Sequence, residues 1–214
     1  MATEPAPIGN WLHQGTSDAR EIADRYDGWA DGYDDDLASW SYQAPSVVAE
    51  IVSSRHPTAG SVLDVGCGTG LVGRALRARG FAGEIQGLDI SEESLEVARQ
   101  SGAYGSVERA DLQQRLPVED DSVDVLVCVG VMTYLPDVES VWREFARVAR
   151  PGGLVVATQR EDLWEPRRCR AIVDQLQNDG VWTPLEIAGP APYLPDGYGG
   201  TPEVNCYYLT ALVS

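Results

Sequence analysis

Four glycines and three aspartates carry the chemistry this sequence offers. An apolar run at 62–65 leads into Gly66-Cys67-Gly68-Thr69-Gly70, and Leu71-Val72-Gly73 follows. Glycines crowded behind a short strand let the backbone turn sharply and let a ligand approach where a Cβ would block it. Two templates fit. From Gly66 the turn reads G-x-G-x-G; from Gly68 it reads G-x-G-x-x-G, the dinucleotide fingerprint, ending at Gly73. Asp89 lies 19 residues after Gly70. An acidic residue at that offset accepts hydrogen bonds from a ribose diol, which satisfies both templates.

Placement separates them. The apolar run ends at Val65, so the turn starts at Gly66, and G-x-G-x-G strands no residue between strand and motif. Asp64 is a carboxylate inside that run, unfavourable beside a pyrophosphate and favourable beside an ammonium group. Its alternative reading is an acceptor that stabilises the turn. Asp111 follows the third strand signal, where its carboxylate accepts from an exocyclic amine with the Leu112 N–H beside it; otherwise it is a surface N-cap. A cationic ligand bearing adenine and an amino-acid tail, S-adenosylmethionine, fits these features together. An NAD(P)-linked oxidoreductase stays as the alternative carried by the literal 68–73 match.

These residues need a frame to hold them. Strand signals at 61–65, 84–88, 106–109, 123–129 and 154–158 alternate with helical patterns at 71–79, 92–100 and 138–149. That alternation predicts an α/β, doubly wound three-layer sandwich with a mostly parallel sheet. Its strands read as near-continuous apolar runs, as expected when both faces are covered. Ahead of them, Ile22, Tyr26, Trp29, Tyr33, Leu37 and Trp40 recur at helical spacing from Ser17, with Ser17 in the capping region and Gly28 and Gly32 as breaks. Ala44-Pro45 punctuates the chain before a helix at 46–56. After 158 the pattern gives a helix at 161–178, a strand at 182–187, a Gly/Pro/Tyr loop at 188–203 and a last strand at 205–213. The expected organisation is a loose tail (1–16) and a single domain (17–214). That domain divides into a helical lid (17–44), a cofactor-binding core (45–158) and a C-terminal substrate-side half (159–214).

Composition excludes several classes. The 33 acidic residues outnumber 16 basic ones, all arginine, for a net charge of −17. Nucleic acid and anionic membrane would be repelled, so neither is expected as a partner. Without lysine there is no P-loop, no pyridoxal Schiff base and no Tyr-x-x-x-Lys dehydrogenase pair. Four scattered cysteines and two histidines offer no metal site. The N-terminus has no cationic start followed by an apolar run, and the apolar run at 123–132 is too short to span a bilayer, so a cytoplasmic protein is expected.

The ordered stretches VLDVGCGTG (62–70), GLDIS (87–91), RADLQQRLP (109–117), DSVDVLVCVGVMTYLPD (121–137) and RVARPGGLVVAT (147–158) resemble the successive motifs of class I S-adenosylmethionine-dependent methyltransferases. The resemblance runs from Arg25 to the C-terminus. The segment YDGWADGYDDDLASWSYQAP (26–45) is similar in particular to the Williams–Beuren-region methyltransferase-like proteins. It implies a seven-stranded sheet with an antiparallel last strand. It places Gly66, Gly68 and Gly70, with Cys67 between them, at the methionine end of the cofactor, and Asp64 at its amino group. It assigns Asp89 to the ribose, Ile90 to the adenine face, and Asp111 with Leu112 to the adenine amine edge. Val129 and Gly130 would floor the sulfonium, and Tyr26 and Tyr33 would belong to a lid over it.

Catalytic residues are harder to read. Tyr33, Tyr134, Asp31 and His13 are the candidates for a base. Thr133 and Tyr134 stand where related enzymes often carry histidine or an acid, a departure that puts a base there in doubt. Cys67 fits a small filler in a tight turn better than a nucleophile, and Cys128 reads as core. Arg160, Arg167, Arg168 and Arg170 form either a solvated helix face or a site for an anionic substrate. No N-P-P-Y-like motif is present, which favours a small-molecule acceptor. A non-catalytic S-adenosylmethionine-binding protein is the remaining alternative.

Overall fold

The computed structural model describes residues 15–194 and 203–214. Strands β1 (Ser61–Val65), β2 (Glu84–Asp89), β3 (Ser106–Arg109), β4 (Val123–Cys128), β5 (Ala149–Arg160), β6 (Trp182–Leu194) and β7 (Val204–Val213) form one sheet. Its order is β3-β2-β1-β4-β5-β7-β6. β7 runs antiparallel to both its neighbours, and the first five strands pair in parallel. The last strand is therefore the reversed one, as expected. Strand order changes direction between β1 and β4, and in open α/β sheets the crevice beyond the strand ends at such a point takes the ligand.

Eight helices flank the sheet among the described residues: α1 (Ala19–Asp27), α2 (Ala30–Ser39), α3 (Ala44–Arg55), α4 (Leu71–Ala78), α5 (Glu92–Gln100), α6 (Val138–Val148), α7 (Glu161–Trp164) and α8 (Cys169–Asn178). β1 shows why two layers are needed. Val62 packs into a cluster with Val48 and Val52 of α3 and Val72 and Leu76 of α4, whereas Leu63 and Val65 join Trp142 and Phe145 of α6 on the opposite face. Asp137 caps α6 by accepting from Ser140 N at 3.1 Å, and Trp142 and Phe145 are wholly buried. Each such side chain contributes about 1.5–3 kcal/mol by leaving water.

The structure departs from the sequence expectation at several joints. Asp18, not Ser17, caps α1, accepting from the backbone N–H of Arg20 and Glu21. Gly28 ends α1, but Gly32 lies inside α2. Pro45 occupies the first turn of α3, where its missing N–H costs nothing. The helix expected over 161–178 splits at 165–168, where Pro166 lies and Arg168 has φ 54°. Much of the expected loop at 188–203 is strand: β6 continues to Leu194. β6 is the sheet edge, where Pro190 and Pro192 are tolerated because one side of the strand needs no ladder partner. Of the tail expected over 1–16, residues 1–14, and with them His13, lie outside the described residues.

Candidate active site

The glycine turn is built by its neighbours. Gly66 N and Cys67 N both donate to Leu88 O, at 2.7 and 3.0 Å, which pins the turn to the end of β2. Gly66 has φ 77°, and a Cβ there would stand 2.1 Å from Val131 Cγ2, so the loop after β4 closes directly against it. Gly73 is glycine for a different reason. A Cβ there would lie 2.5 Å from the Tyr104 ring, and Gly73 N donates to Tyr104 Oη at 3.0 Å. The last glycine of the literal dinucleotide match is thus accounted for by packing against Tyr104.

Beyond the strand ends lies a cleft of about 590 Å³. Gly66 and Gly68 form one side. Asp89, Ile90, Asp111 and Leu112 form the next, Val129 and Gly130 the floor, and Tyr26, Tyr33 and Tyr134 the cover. Asp89 Oδ2 accepts from Gly68 N at 2.8 Å and Oδ1 from Ser91 N at 2.9 Å. Burial raises its carboxyl above the ordinary aspartate value, although these backbone donors pull the other way. Asp111 Oδ1 accepts from Gln113 N at 3.0 Å. Gly130 N donates to the buried Thr158 Oγ1 at 2.9 Å, fixing the mouth of β4 against β5.

Three members of the sequence-derived set stand behind this cleft. Asp64 is fully buried and accepts from Tyr104 Oη at 2.6 Å; it does not line the cleft, so a direct contact with a ligand ammonium is not built here. Gly70, at φ 92°, backs onto Tyr104 and Ala98. Cys67 packs its thiol towards Gly87 of β2, and burial pushes that thiol up, which suits filler and not a nucleophile. Cys128 is core, its thiol also raised by burial.

A second cavity, of about 470 Å³, shares Tyr26, Tyr33, Gly130 and Tyr134 with the cleft. Trp29, Leu37, Tyr42, Tyr193, Leu194 and Val204 complete most of its wall. Tyr42 Oη donates to Tyr193 Oη at 3.2 Å, and both hydroxyls stand close to Gly130. Burial holds Tyr26, Tyr33, Tyr42 and Tyr193 well above the usual phenol value, so all four are protonated donors at neutral pH. Asp31 is exposed on α2 and lines neither cavity. Tyr193, Tyr104 and Thr158 are not among the sequence candidates: Tyr193 lies in a segment whose Gly/Pro content reads as loop, Tyr104 carries no periodic or motif signal, and Thr158 reads only as the end of a strand.

The four arginines separate. Arg167 donates to the carbonyls of Met132, Thr133 and Leu135 at 2.5, 2.7 and 3.1 Å, so it clamps the 3₁₀ turn Met132–Tyr134 that covers both cavities. Arg170 pairs with Asp174 on the surface, and Arg168 is exposed. Only Arg160 reaches the aromatic cavity, with its guanidinium bonded to Asp162 at 2.9 and 2.6 Å. A shared anion site for the cluster is not built.

Helices α1 and α2 are tied to the core around the cleft. Asp27 accepts from Ser91 Oγ at 2.6 Å, and Asp34 accepts from Thr69 Oγ1 at 2.5 Å while pairing with Arg74. Gln113 Nε2 donates to Ser17 O at 2.8 Å.

The donor set fits S-adenosylmethionine. A carboxylate at the end of β2 suits a ribose diol, Ile90 and Leu112 offer apolar faces to a purine, and Gly68 leaves open space where a side chain would stand. Fold and cleft together define a class I S-adenosylmethionine-dependent methyltransferase. A methyltransferase-domain family model matches residues 63–157. Human methyltransferase-like protein 27 is 33% identical over 183 residues, covering 79% of this chain and 71% of that protein. The ubiquinone biosynthesis O-methyltransferase of Thiobacillus denitrificans is 36% identical over 109 residues, 49% of this chain and 46% of that enzyme, so the match spans less than half of it. Among solved structures, an S-adenosylmethionine-dependent methyltransferase from Mesorhizobium loti superposes with a TM-score of 0.59 at 19% identity, covering 76% of this chain and 96% of that one. The Streptomyces coelicolor geranyl diphosphate C-methyltransferase, solved with S-adenosyl-L-homocysteine, gives 0.58 at 15% identity, with 79% of each chain covered. The chain belongs to the family of methyltransferase-like protein 27.

Proposed function

We propose that this methyltransferase acts on a small, flat, largely apolar acceptor held in the tyrosine-lined cavity. The observation that carries the reading is the shared wall: Tyr26, Tyr33, Gly130 and Tyr134 belong to both cavities, so an acceptor in one faces a cofactor in the other. The ubiquinone biosynthesis O-methyltransferase relative supports a small-molecule acceptor. The charge of −17 argues against nucleic acid and anionic membrane, and no helix among the described residues is long and apolar enough to cross a membrane. A cytoplasmic enzyme is the reading consistent with both.

In this account Asp89 holds the ribose and Ile90 with Leu112 the adenine. Asp111 reads the amine edge, and the backbone at Gly66 and Gly68 meets the amino-acid tail. Residues 17–44 act as the lid, and 159–214 supply Arg160, Tyr193, Leu194 and Val204 to the acceptor side. The cofactor supplies an activated methyl carbon. The chain aligns the acceptor atom and excludes water. Among the described residues lining the aromatic cavity there is no carboxylate or imidazole, and burial holds Tyr26, Tyr33, Tyr42 and Tyr193 protonated. The acceptor atom therefore arrives with its lone pair available, and the Tyr42 and Tyr193 hydroxyls orient it. Incubation with methyl-labelled S-adenosylmethionine and a panel of aromatic phenols, carboxylates and amines tests this. Label in an extractable small product supports the reading; label confined to RNA or protein added in parallel contradicts it.

A further inference from the structure

Asp64 lies on the same face of β1 as Val62, beneath the glycine turn. Its Oδ2 accepts from Tyr104 Oη at 2.6 Å, and its buried Oδ1 has no hydrogen-bond partner among the described residues. Tyr104 Oη in turn accepts from Gly73 N, one of the N-terminal donors of α4 that the helix itself leaves unmet. A chain of hydrogen bonds therefore runs from the first turn of α4 through Tyr104 to β1. Its ring also fills the space beside Gly70 and Gly73. The terminal link is strongest when Asp64 is ionised, and linked bonds polarise one another.

We propose that Tyr104 is a positioning residue for S-adenosylmethionine: it couples the ionisation of Asp64 to the shape of the glycine turn, so that cofactor binding releases a proton. The inference rests on the cofactor occupying the cleft beside that turn. Four groups interact electrostatically with Asp64: its hydrogen-bond donor Tyr104, Asp89 at the end of β2, Cys67 in the turn and, on the opposite face of the sheet, Cys128 at the end of β4. Burial keeps both thiols protonated, which leaves Asp89 as the other charge of the four. Burial and the Asp89 charge hold Asp64 up, to about 7, against the Tyr104 hydrogen bond. S-adenosylmethionine carries net positive charge, so its arrival favours the ionised carboxyl; S-adenosylhomocysteine, lacking the sulfonium, does so less.

Calorimetric titration of the full chain with S-adenosylmethionine between pH 5.5 and 8.5 tests this, using wild type, Tyr104→Phe and Asp64→Asn. Wild-type affinity is expected to weaken by about five-fold or more from pH 8 to pH 6, with a shallower profile for S-adenosylhomocysteine. Asp64→Asn flattens the profile. Tyr104→Phe keeps the ring, lowers affinity at neutral pH and moves the midpoint upward, because the carboxylate loses its donor. If Tyr104→Phe weakens binding equally at every pH with the midpoint in place, Tyr104 is merely structural and the proposal fails. A wild-type profile that is flat also overturns it. Where Asp64→Asn does not fold, the Tyr104→Phe midpoint decides alone. Absence of any S-adenosylmethionine binding by wild type would instead sink the cofactor site itself.

Discussion

Tyr26 and Tyr134, 108 residues apart, meet hydroxyl to hydroxyl at 2.9 Å with their rings edge-on, centroids 5.9 Å apart. This contact joins α1 to the turn after β4 across the cover of both cavities. Tyr26→Phe removes the hydrogen bond and keeps the ring. A lost bond of about 0.5–1.5 kcal/mol should weaken cofactor binding roughly two- to ten-fold by calorimetry. Unchanged affinity would mean that this contact does not hold the cover in place.

Asp89 combines two jobs, bracing Gly68 N and Ser91 N while facing the cleft. Asp89→Ala loosens the turn and removes the carboxylate proposed to accept from the ribose, and should weaken S-adenosylmethionine binding by at least ~1.5–3 kcal/mol, more than ten-fold. Equilibrium binding of the variant checks it. A loss below three-fold is incompatible with a ribose contact at Asp89.

Gly73→Ala drives a methyl group into the Tyr104 ring. Destabilisation of about 1–3 kcal/mol is expected in urea unfolding. The cost should shrink in a Tyr104→Ala background, where the space is free, and a double-mutant cycle measures that coupling. Additive effects would show that the glycine answers to something other than Tyr104.

Asp64 also sets a pH dependence of stability. Its folded-state value is raised, to about 7 from 3.8, so the native state holds the proton more tightly than the unfolded chain. The resulting stabilisation is complete below the unfolded value and is lost as pH rises through 7. Asp64→Asn stays neutral throughout. Relative to wild type it should gain stability between pH 4 and pH 8, by up to a few kcal/mol. Denaturant melts at the two pH values check this, and a gap that is constant or shrinks rules out a raised Asp64.

The readable parts of this protein are those where burial imposes a pattern. Parallel strands covered on both faces run largely apolar, so β1, β4 and the 154–158 stretch of β5 announce themselves, whereas β2, which carries Glu84 and Gln86, is marked by Asp89, the charge that ends it. Asp64 was visible as an anomaly, but its partner was not, because Tyr104 sits in a connection without periodicity. Tyr193 was hidden for a physical reason as well: an edge strand accepts Pro190 and Pro192, so β6 carries the composition of a loop. The arginine cluster misled because sequence proximity did not survive the break at 165–168, which sends Arg160, Arg167 and Arg170 to three different partners.

The measurement closest to the central claim is the initial rate of methyl-label transfer into aromatic small-molecule products, compared between wild type and Thr133→Phe. Thr133 lines the aromatic cavity and not the cofactor cleft, so a phenyl ring there fills the acceptor space alone. The account predicts transfer by wild type and at least a ten-fold slower rate in the variant, with S-adenosylhomocysteine affinity within two-fold of wild type (about 0.4 kcal/mol). Equal rates in the two proteins would place the acceptor elsewhere and contradict it.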